Sequence, residues 1–278
     1  MAVALVTGAS RGIGKGVALE LGKAGFTVYL TGRPKAQREA GLLGDLHQAA
    51  EEVTALGGKG IAVECDHHDD QSVATAFDVV RAAGEGLDVL VNNVFSVPEL
   101  GKAGRKPFWE QPISAYDEPM IVGARSHYVA SYFAAPMMIE AGHGLIVNIS
   151  STGAVTYANS VGYGVGKAAV DKITTDIGYE LAKRNVAVVS LWPGTFVYTE
   201  LNTSRGLAEL PPGETPRFTG KAVVALANDP NVMDKAARVF TCVQIAHAYG
   251  FTEDDGSMPG DLDPAWVAKR HDRRNPFA

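Results

Sequence analysis

Tyr163 and Lys167 stand four residues apart in Tyr163-Gly164-Val165-Gly166-Lys167, a spacing that brings both side chains to one face if the segment is helical. A phenol beside an ammonium is an acid–base pair. A free tyrosine titrates near pH 10, too high for an efficient base at neutral pH, and a nearby positive charge favours the phenolate and lowers that value. Tyr and Lys fall at this spacing by chance often enough that position must add weight, and this pair follows a strand-like run ending in Ser150-Ser151. The start of the chain offers a second chemistry. Val3 to Thr7 leads directly into Thr7-Gly8-Ala9-Ser10-Arg11-Gly12-Ile13-Gly14 and then into the helix-like Val17-Ala18-Leu19-Glu20-Leu21. Glycines there allow a tight turn and close backbone approach to a pyrophosphate, and the helix N-terminus supplies free N–H groups and the positive end of its dipole.

These residues meet only if the intervening chain brings them together. Short runs of Val, Ile and Leu predict strands at Val3–Thr7, Thr27–Leu30, Gly60–Glu64, Val89–Asn92, Leu145–Ser150, Val186–Leu191 and Arg238–Cys242. Segments of helical spacing lie between them, near Gly14–Ala24, Lys35–Leu56, Gln71–Gly84, Ile121–Ala141, Gly166–Arg184 and Gly220–Ala227. Each crossover is long enough for a right-handed βαβ unit. The expectation is an α/β fold: a doubly wound, Rossmann-type parallel sheet of seven strands with helices on both faces. No composition break marks a linker, so one domain spans 1–249, with a tail over 250–278. With 278 residues, 46% hydrophobic and 20% charged, the chain can bury a substantial core. A net charge of −6 and a pI near 5.7 give no electrostatic footprint for nucleic acid or an anionic membrane, and no apolar stretch approaches the ~18 residues of a membrane span. Cys65 and Cys242 are in no metal or redox spacing, and no leader-like segment precedes the first strand, so a cytoplasmic location is expected.

The spacing Thr-Gly-xxx-Gly-x-Gly, the order Ser then Tyr-xxx-Lys, and Trp192-Pro193-Gly194 after the sixth strand resemble the short-chain dehydrogenase/reductase family over about residues 3–245. The resemblance implies an oxidoreductase acting on CH–OH donors, with Thr7, Gly8, Ser10, Arg11, Gly12, Ile13 and Gly14 cradling the cofactor. Gly32 stands where NAD-preferring relatives carry an acidic residue; an Asp would repel a 2′-phosphate, whereas Arg33, with Arg11 as a second partner, can pair with it. The expected cofactor is therefore NADP(H) rather than NAD(H). By the same resemblance Asp66 contacts adenine, Asn92 lies beside the adenosine ribose, Pro193 and Gly194 frame the nicotinamide, and Thr199 contacts its carboxamide or a phosphate. Tyr163 is then the general acid/base and Lys167 holds the nicotinamide ribose while favouring the phenolate. The serine that holds the substrate oxygen is Ser151, but a Ser-to-Tyr interval one shorter than usual keeps Ser150 in contention. Two departures stand out. Val94 and Phe95 follow Asn92-Asn93 where Ala-Gly is usual, and Gly123 aligns with an Asn that shapes a water relay behind the lysine; Ser126 and His127 are close by. His67-His68-Asp69-Asp70 reads as a helix cap rather than a metal site, so no metal is expected.

The loops 95–119 and 194–216 come after the carboxyl ends of strands, where open α/β sheets bind ligands. They carry Phe95, Phe108, Trp109, Phe196 and Tyr198, which predict contacts to a fairly bulky apolar carbonyl or alcohol substrate; neither loop offers an obvious pair of arginines converging on a carboxylate, Arg105 and Arg205 being at most single contacts. Val170, Ile173, Ile177 and Leu181 form a stripe that either pairs with its copy in a homodimer or homotetramer or faces its own sheet. A second reading, motivated by Gly123 and the altered Asn-Asn corner, is a dinucleotide-binding protein with weak or vestigial catalysis.

Overall fold

In the computed structural model, which describes residues 1–34, 44–96, 106–194, 196–200, 202 and 213–261, the strand-like runs assemble into one parallel seven-stranded sheet. The strands are β1 (Val3–Val6), β2 (Thr27–Gly32), β3 (Lys59–Glu64), β4 (Val89–Asn92), β5 (Gly144–Ile149), β6 (Val186–Trp192) and β7 (Arg238–Thr241). Their order across the sheet is β3-β2-β1-β4-β5-β6-β7. The order reverses beside β1, which pairs with both β2 and β4, so a crevice opens outside the carboxyl ends of those strands.

Side chains on a strand alternate between faces, and β1 displays this directly. Ala4 and Val6 join one core with α1 (Gly12–Lys23), α2 (Leu46–Ala55), a helix over Pro216–Ala227 and a last one over Cys242–Tyr249. Val3 and Leu5 join a second core on the opposite face with α3 (Asp70–Ala82), a helix over Ser126–Ala141 and Leu181 of a long helix over Val161–Leu181. Burial of each Val, Leu or Ile contributes about 1.5–3 kcal/mol, so the two layers hold the sheet from both sides. With the short α4 (Ser114–Glu118) counted, the later helices are α5 (Ser126–Ala141), α6 (Val161–Leu181), α7 (Pro216–Ala227) and α8 (Cys242–Tyr249).

Helix starts reflect local chemistry. Asp45, Asp69, Ser160 and Thr215 each accept backbone N–H bonds in the first turn of α2, α3, α6 and α7. Asp69 is thus the cap expected in His67-His68-Asp69-Asp70. Several elements differ from expectation: α4 forms within the expected loop 95–119, and α6 starts at Val161 rather than Gly166 and so includes Tyr163. The helix expected from Ile121 begins as a π-helix over Pro119–Arg125, which inserts an extra residue before α5. The chain after β7 forms α8, started by a capping box in which Thr241 and Gln244 exchange side-chain and backbone bonds. Residues 35–43, the first part of the expected second helix, lie outside the described residues. Of the stripe on α6, Val170 and Leu181 are buried and Ile177 packs against the second core, while Ile173 is only partly buried.

The tail begins as part of the domain. Glu253 accepts bonds from the Thr215 amide and hydroxyl, and Asp261 accepts one from the Thr241 hydroxyl. Among the described residues no helix is long and apolar enough to cross a membrane.

Candidate active site

The carboxyl ends of β1 and β4 build the phosphate-binding end. Thr7, fully buried, accepts bonds at its hydroxyl from the amides of Asn93 (2.9 Å) and Val94 (3.1 Å). Asn93 in turn donates its side-chain amide to the carbonyls of Thr7 and Gly8. Gly8 has φ +66°, and a Cβ there would stand 2.8 Å from the Val94 backbone, so both its conformation and its surroundings require glycine. Ser10 lies in the same turn, and Ile13, in the first turn of α1, packs on the first core. At the start of α1 the Gly12 amide donates to a carboxylate oxygen of Glu200 at 3.0 Å. An anion on that N–H is the chemistry a cofactor phosphate would present, so the turn fits a dinucleotide. The methyl of Thr199 lies beside Gly12, which places Thr199 at this end of the crevice.

Arg33, just beyond β2, is close enough to Asp66 to influence its charge. Burial alone would raise the Asp66 carboxyl, but bonds from the His68 amide and ring, with the charges of His68 and Arg33, hold it below its ordinary range. His68 bridges Asp66 and Glu118 at 3.1 and 3.0 Å; these two carboxylates outweigh its burial and raise it. Asn92 departs from its expected place. Its side chain is fully buried and donates to the His127 carbonyl, Ser131 and Asn148, tying β4 to β5 and α5, whereas Asn93 faces the glycine turn. Strand alternation turns Asn92 inward and leaves its neighbour outside.

The chemical end lies between β5 and α6. The Ser151 hydroxyl is 2.9 Å from that of Tyr163 and accepts the Gly153 amide at 3.1 Å. Ser150 points inward and donates to the Lys167 carbonyl. The structure therefore brings Ser151, not Ser150, to the phenol. Lys167 Nζ donates to the Ile149 carbonyl at 2.9 Å and lies 4.1 Å from the centre of the Phe95 ring. Burial pushes the Lys167 ammonium down to about 7 against the raising influence of Asp171. Burial also raises the Tyr163 phenol, opposed by the Ser151 hydrogen bond. The expected lowering of Tyr163 by Lys167 is thus not found in the protein alone, because removal from water dominates both groups.

Three further groups support this end, of which the sequence singled out only His127. Asp171, one turn beyond Lys167 on α6, accepts bonds from Ser190 (2.7 Å) and the Trp192 indole (3.2 Å). The four-residue run Tyr163, Lys167, Asp171 was a visible signal for it. Glu214 has no local signal: it is 1% exposed, accepts the Gly194 amide at 3.2 Å and the Thr219 hydroxyl at 3.1 Å, and is raised to about 7 mainly by burial. Its own backbone pairs with Phe196 and Tyr198, so it joins both arms of the loop after Pro193-Gly194. His127 is fully buried beside Val94 and is lowered to about 3 by burial and by Lys167, which leaves it neutral.

The loop aromatics separate into three places. Phe95 meets Tyr163 edge-on, with ring centres 5.4 Å apart. Phe196 and Tyr198 meet edge-to-face with ring centres 5.6 Å apart, and the Tyr198 hydroxyl accepts the Gly213 amide. Phe108 and Trp109 form an exposed pair, 65% and 72% accessible, away from the contacts of Tyr163. Arg105 and Arg205 lie outside the described residues.

Comparison with known proteins places this geometry in context. A family model described as short chain dehydrogenase matches residues 2–209. The chain is 42% identical over 270 residues to human Dehydrogenase/reductase SDR family member 1, covering 91% of this chain and 83% of that protein. It is 32% identical over 201 residues to the 3-oxoacyl-(acyl-carrier-protein) reductase FabG of Aquifex aeolicus, covering 72% of this chain and 75% of that one. The crystal structure of a short chain dehydrogenase from Mycobacterium thermoresistibile superposes with a TM-score of 0.80 over 94% of each chain at 22% identity, which shows a shared fold.

Proposed function

The chain belongs to the short-chain dehydrogenase/reductase family, and from that premise we propose that it is an NADP(H)-dependent oxidoreductase interconverting a carbonyl and an alcohol on a fairly bulky apolar small molecule. The observation that carries the reading is the Tyr163 hydroxyl, 2.9 Å from Ser151 and one helical turn from Lys167, on the same sheet edge as the Gly12 amide, which donates to the Glu200 carboxylate. The cofactor, when bound, supplies or accepts the hydride. Within the chain, Ser151 and Tyr163 hold the substrate oxygen between two hydroxyls, and Tyr163 gives it a proton as the carbon is reduced or removes one as the alcohol is oxidised. Lys167 holds the nicotinamide ribose, and its charge favours the phenolate when the site is loaded. Pro193 and Gly194 frame the nicotinamide, with Thr199 at its carboxamide or a phosphate. Arg33, supported by Arg11, takes the 2′-phosphate, and Asp66 the adenine. Phe95, Phe196 and Tyr198, with Phe108 and Trp109 at the outer rim, line the substrate side. A homodimer or homotetramer in the cytoplasm completes the reading, supported by exposed aromatics on α5 and by two buried free cysteines.

Assay with NADPH across ketones, quinones and aldehydes, and with NADP⁺ across the alcohols, tests it. Tyr163→Phe should abolish turnover while leaving cofactor binding largely intact; retained turnover would sink the mechanism. The second reading, a dinucleotide-binding protein without effective catalysis, draws on the Gly123 position, where no side chain is available to shape a relay. It predicts NADPH binding with no turnover on the whole panel.

A further inference from the structure

We propose that Phe95 is a positioning residue for the Tyr163–Lys167 pair, its ring seated in the notch that Gly123 leaves in the π-helix and clamping the lysine ammonium against the Ile149 carbonyl. The inference rests on the proposed roles of Tyr163 and Lys167. Ring carbons of Phe95 lie 2.4, 2.8 and 3.1 Å from the point where a Cβ at position 123 would stand, so ring and missing side chain are complementary. The same ring meets the Lys167 ammonium at 4.1 Å and the Tyr163 ring at 5.4 Å, at an interplanar angle of 71°. One side chain therefore touches both members of the pair. The extra residue of the π turn, the absent Cβ and the ring belong to one arrangement, which fills with an aromatic face the space where a relay of water would run.

The ring acts on Lys167 in two opposite ways. Its negative face favours the ammonium, while its bulk excludes water and disfavours any charge. The charged and titratable groups acting on the amine are Asp171, one turn further along α6, and His127 on α5, which burial keeps neutral; Tyr163 stands one turn earlier on the same helix. Leucine at 95 keeps the space dry but offers no π face; alanine admits water. The two substitutions should move the lysine in opposite directions.

The experiment is titration of the Lys167 side chain by ¹³Cε NMR in selectively labelled wild type, Phe95→Leu and Phe95→Ala. The midpoint should fall in Phe95→Leu and rise in Phe95→Ala, each by about one pH unit, a tenfold change in the protonation equilibrium. In parallel, Gly123→Ala pushes a methyl into the ring and should lower kcat/KM by about ten- to a hundredfold, whereas the same change on the Phe95→Ala background has room and should cost little. Unchanged midpoints, midpoints moving in the same direction, or an equal Gly123→Ala cost on both backgrounds would overturn the clamp. The titration needs no turnover, so a Tyr163→Phe variant that stayed active would refute the acid–base role and leave the clamp to be judged on the NMR alone.

Discussion

At Tyr163 and Lys167, burial acts in opposite senses, raising the phenol and lowering the ammonium to about 7. The two serines beside them divide their work by direction. Ser151→Ala removes the hydroxyl that meets Tyr163 and should lower kcat by about 10²–10³, the usual cost of one donor at a developing oxyanion. Ser150→Ala removes a bond to the Lys167 backbone and should leave kcat within about tenfold of wild type, because that bond contributes only ~1 kcal/mol. Steady-state kinetics on one ketone separates them; equal losses would contradict the assignment. At the other end, a charge-assisted bond from Arg33 to a 2′-phosphate would contribute ~1.5–3 kcal/mol, so under the proposed NADP(H) preference Arg33→Ala should weaken NADPH by about ten- to a hundredfold and leave NADH unchanged. Titration of both cofactors checks this, and equal wild-type affinities would refute the NADP(H) preference.

Among the described residues of the loop between β6 and α7, Glu214 makes the joining contacts. Glu214 ties Gly194 to Thr219 while its backbone pairs with Phe196 and Tyr198. Its carboxyl is raised from 4.5 to about 7 by burial, with a smaller contribution from Glu253. A raised carboxyl keeps its proton in the folded state where the unfolded chain has lost it. Stability therefore falls as pH rises from about 4.5 to 7 and levels off above, by on the order of 3 kcal/mol for this group. Glu214→Gln cannot ionise and should flatten that decline in urea unfolding measured from pH 4.5 to 8; an unaltered slope would exclude Glu214 as its source. On α6, Asp171→Ala leaves the Ser190 hydroxyl and Trp192 indole without their acceptor and should cost about 2–4 kcal/mol in the same measurement.

For the whole molecule, large apolar side chains remain exposed on α5 and the first half of α6 at Tyr128, Tyr132, Val161 and Val165, as well as at Phe108, Trp109 and Tyr179, whereas Val170 and Leu181 of the stripe are buried. Light scattering at micromolar concentration should give two or four times the 29.3 kDa chain mass, and Tyr132→Lys with Val165→Lys should shift it toward the monomer. A monomeric wild type would refute the assembly. What the sequence determined by itself is whatever depends on near neighbours: β-branched runs that became strands, Asp69 and Ser160 that cap helices, glycines in the first turn, and Tyr163 with Lys167 on one face. These are legible because period-two and four-residue spacings act within a few residues of chain. The tertiary structure alone decided that Ser151 rather than Ser150 meets Tyr163, that Asn92 turns inward, that Phe95 enters the Gly123 notch and that Glu214 reaches Gly194. Each of these joins residues brought together by a loop or crossover, and one extra residue in the π turn rotates α5 relative to the chain before it. The ionisation of Tyr163 and Lys167 was settled at the same level, because depth from water belongs to the folded whole and not to any stretch of chain.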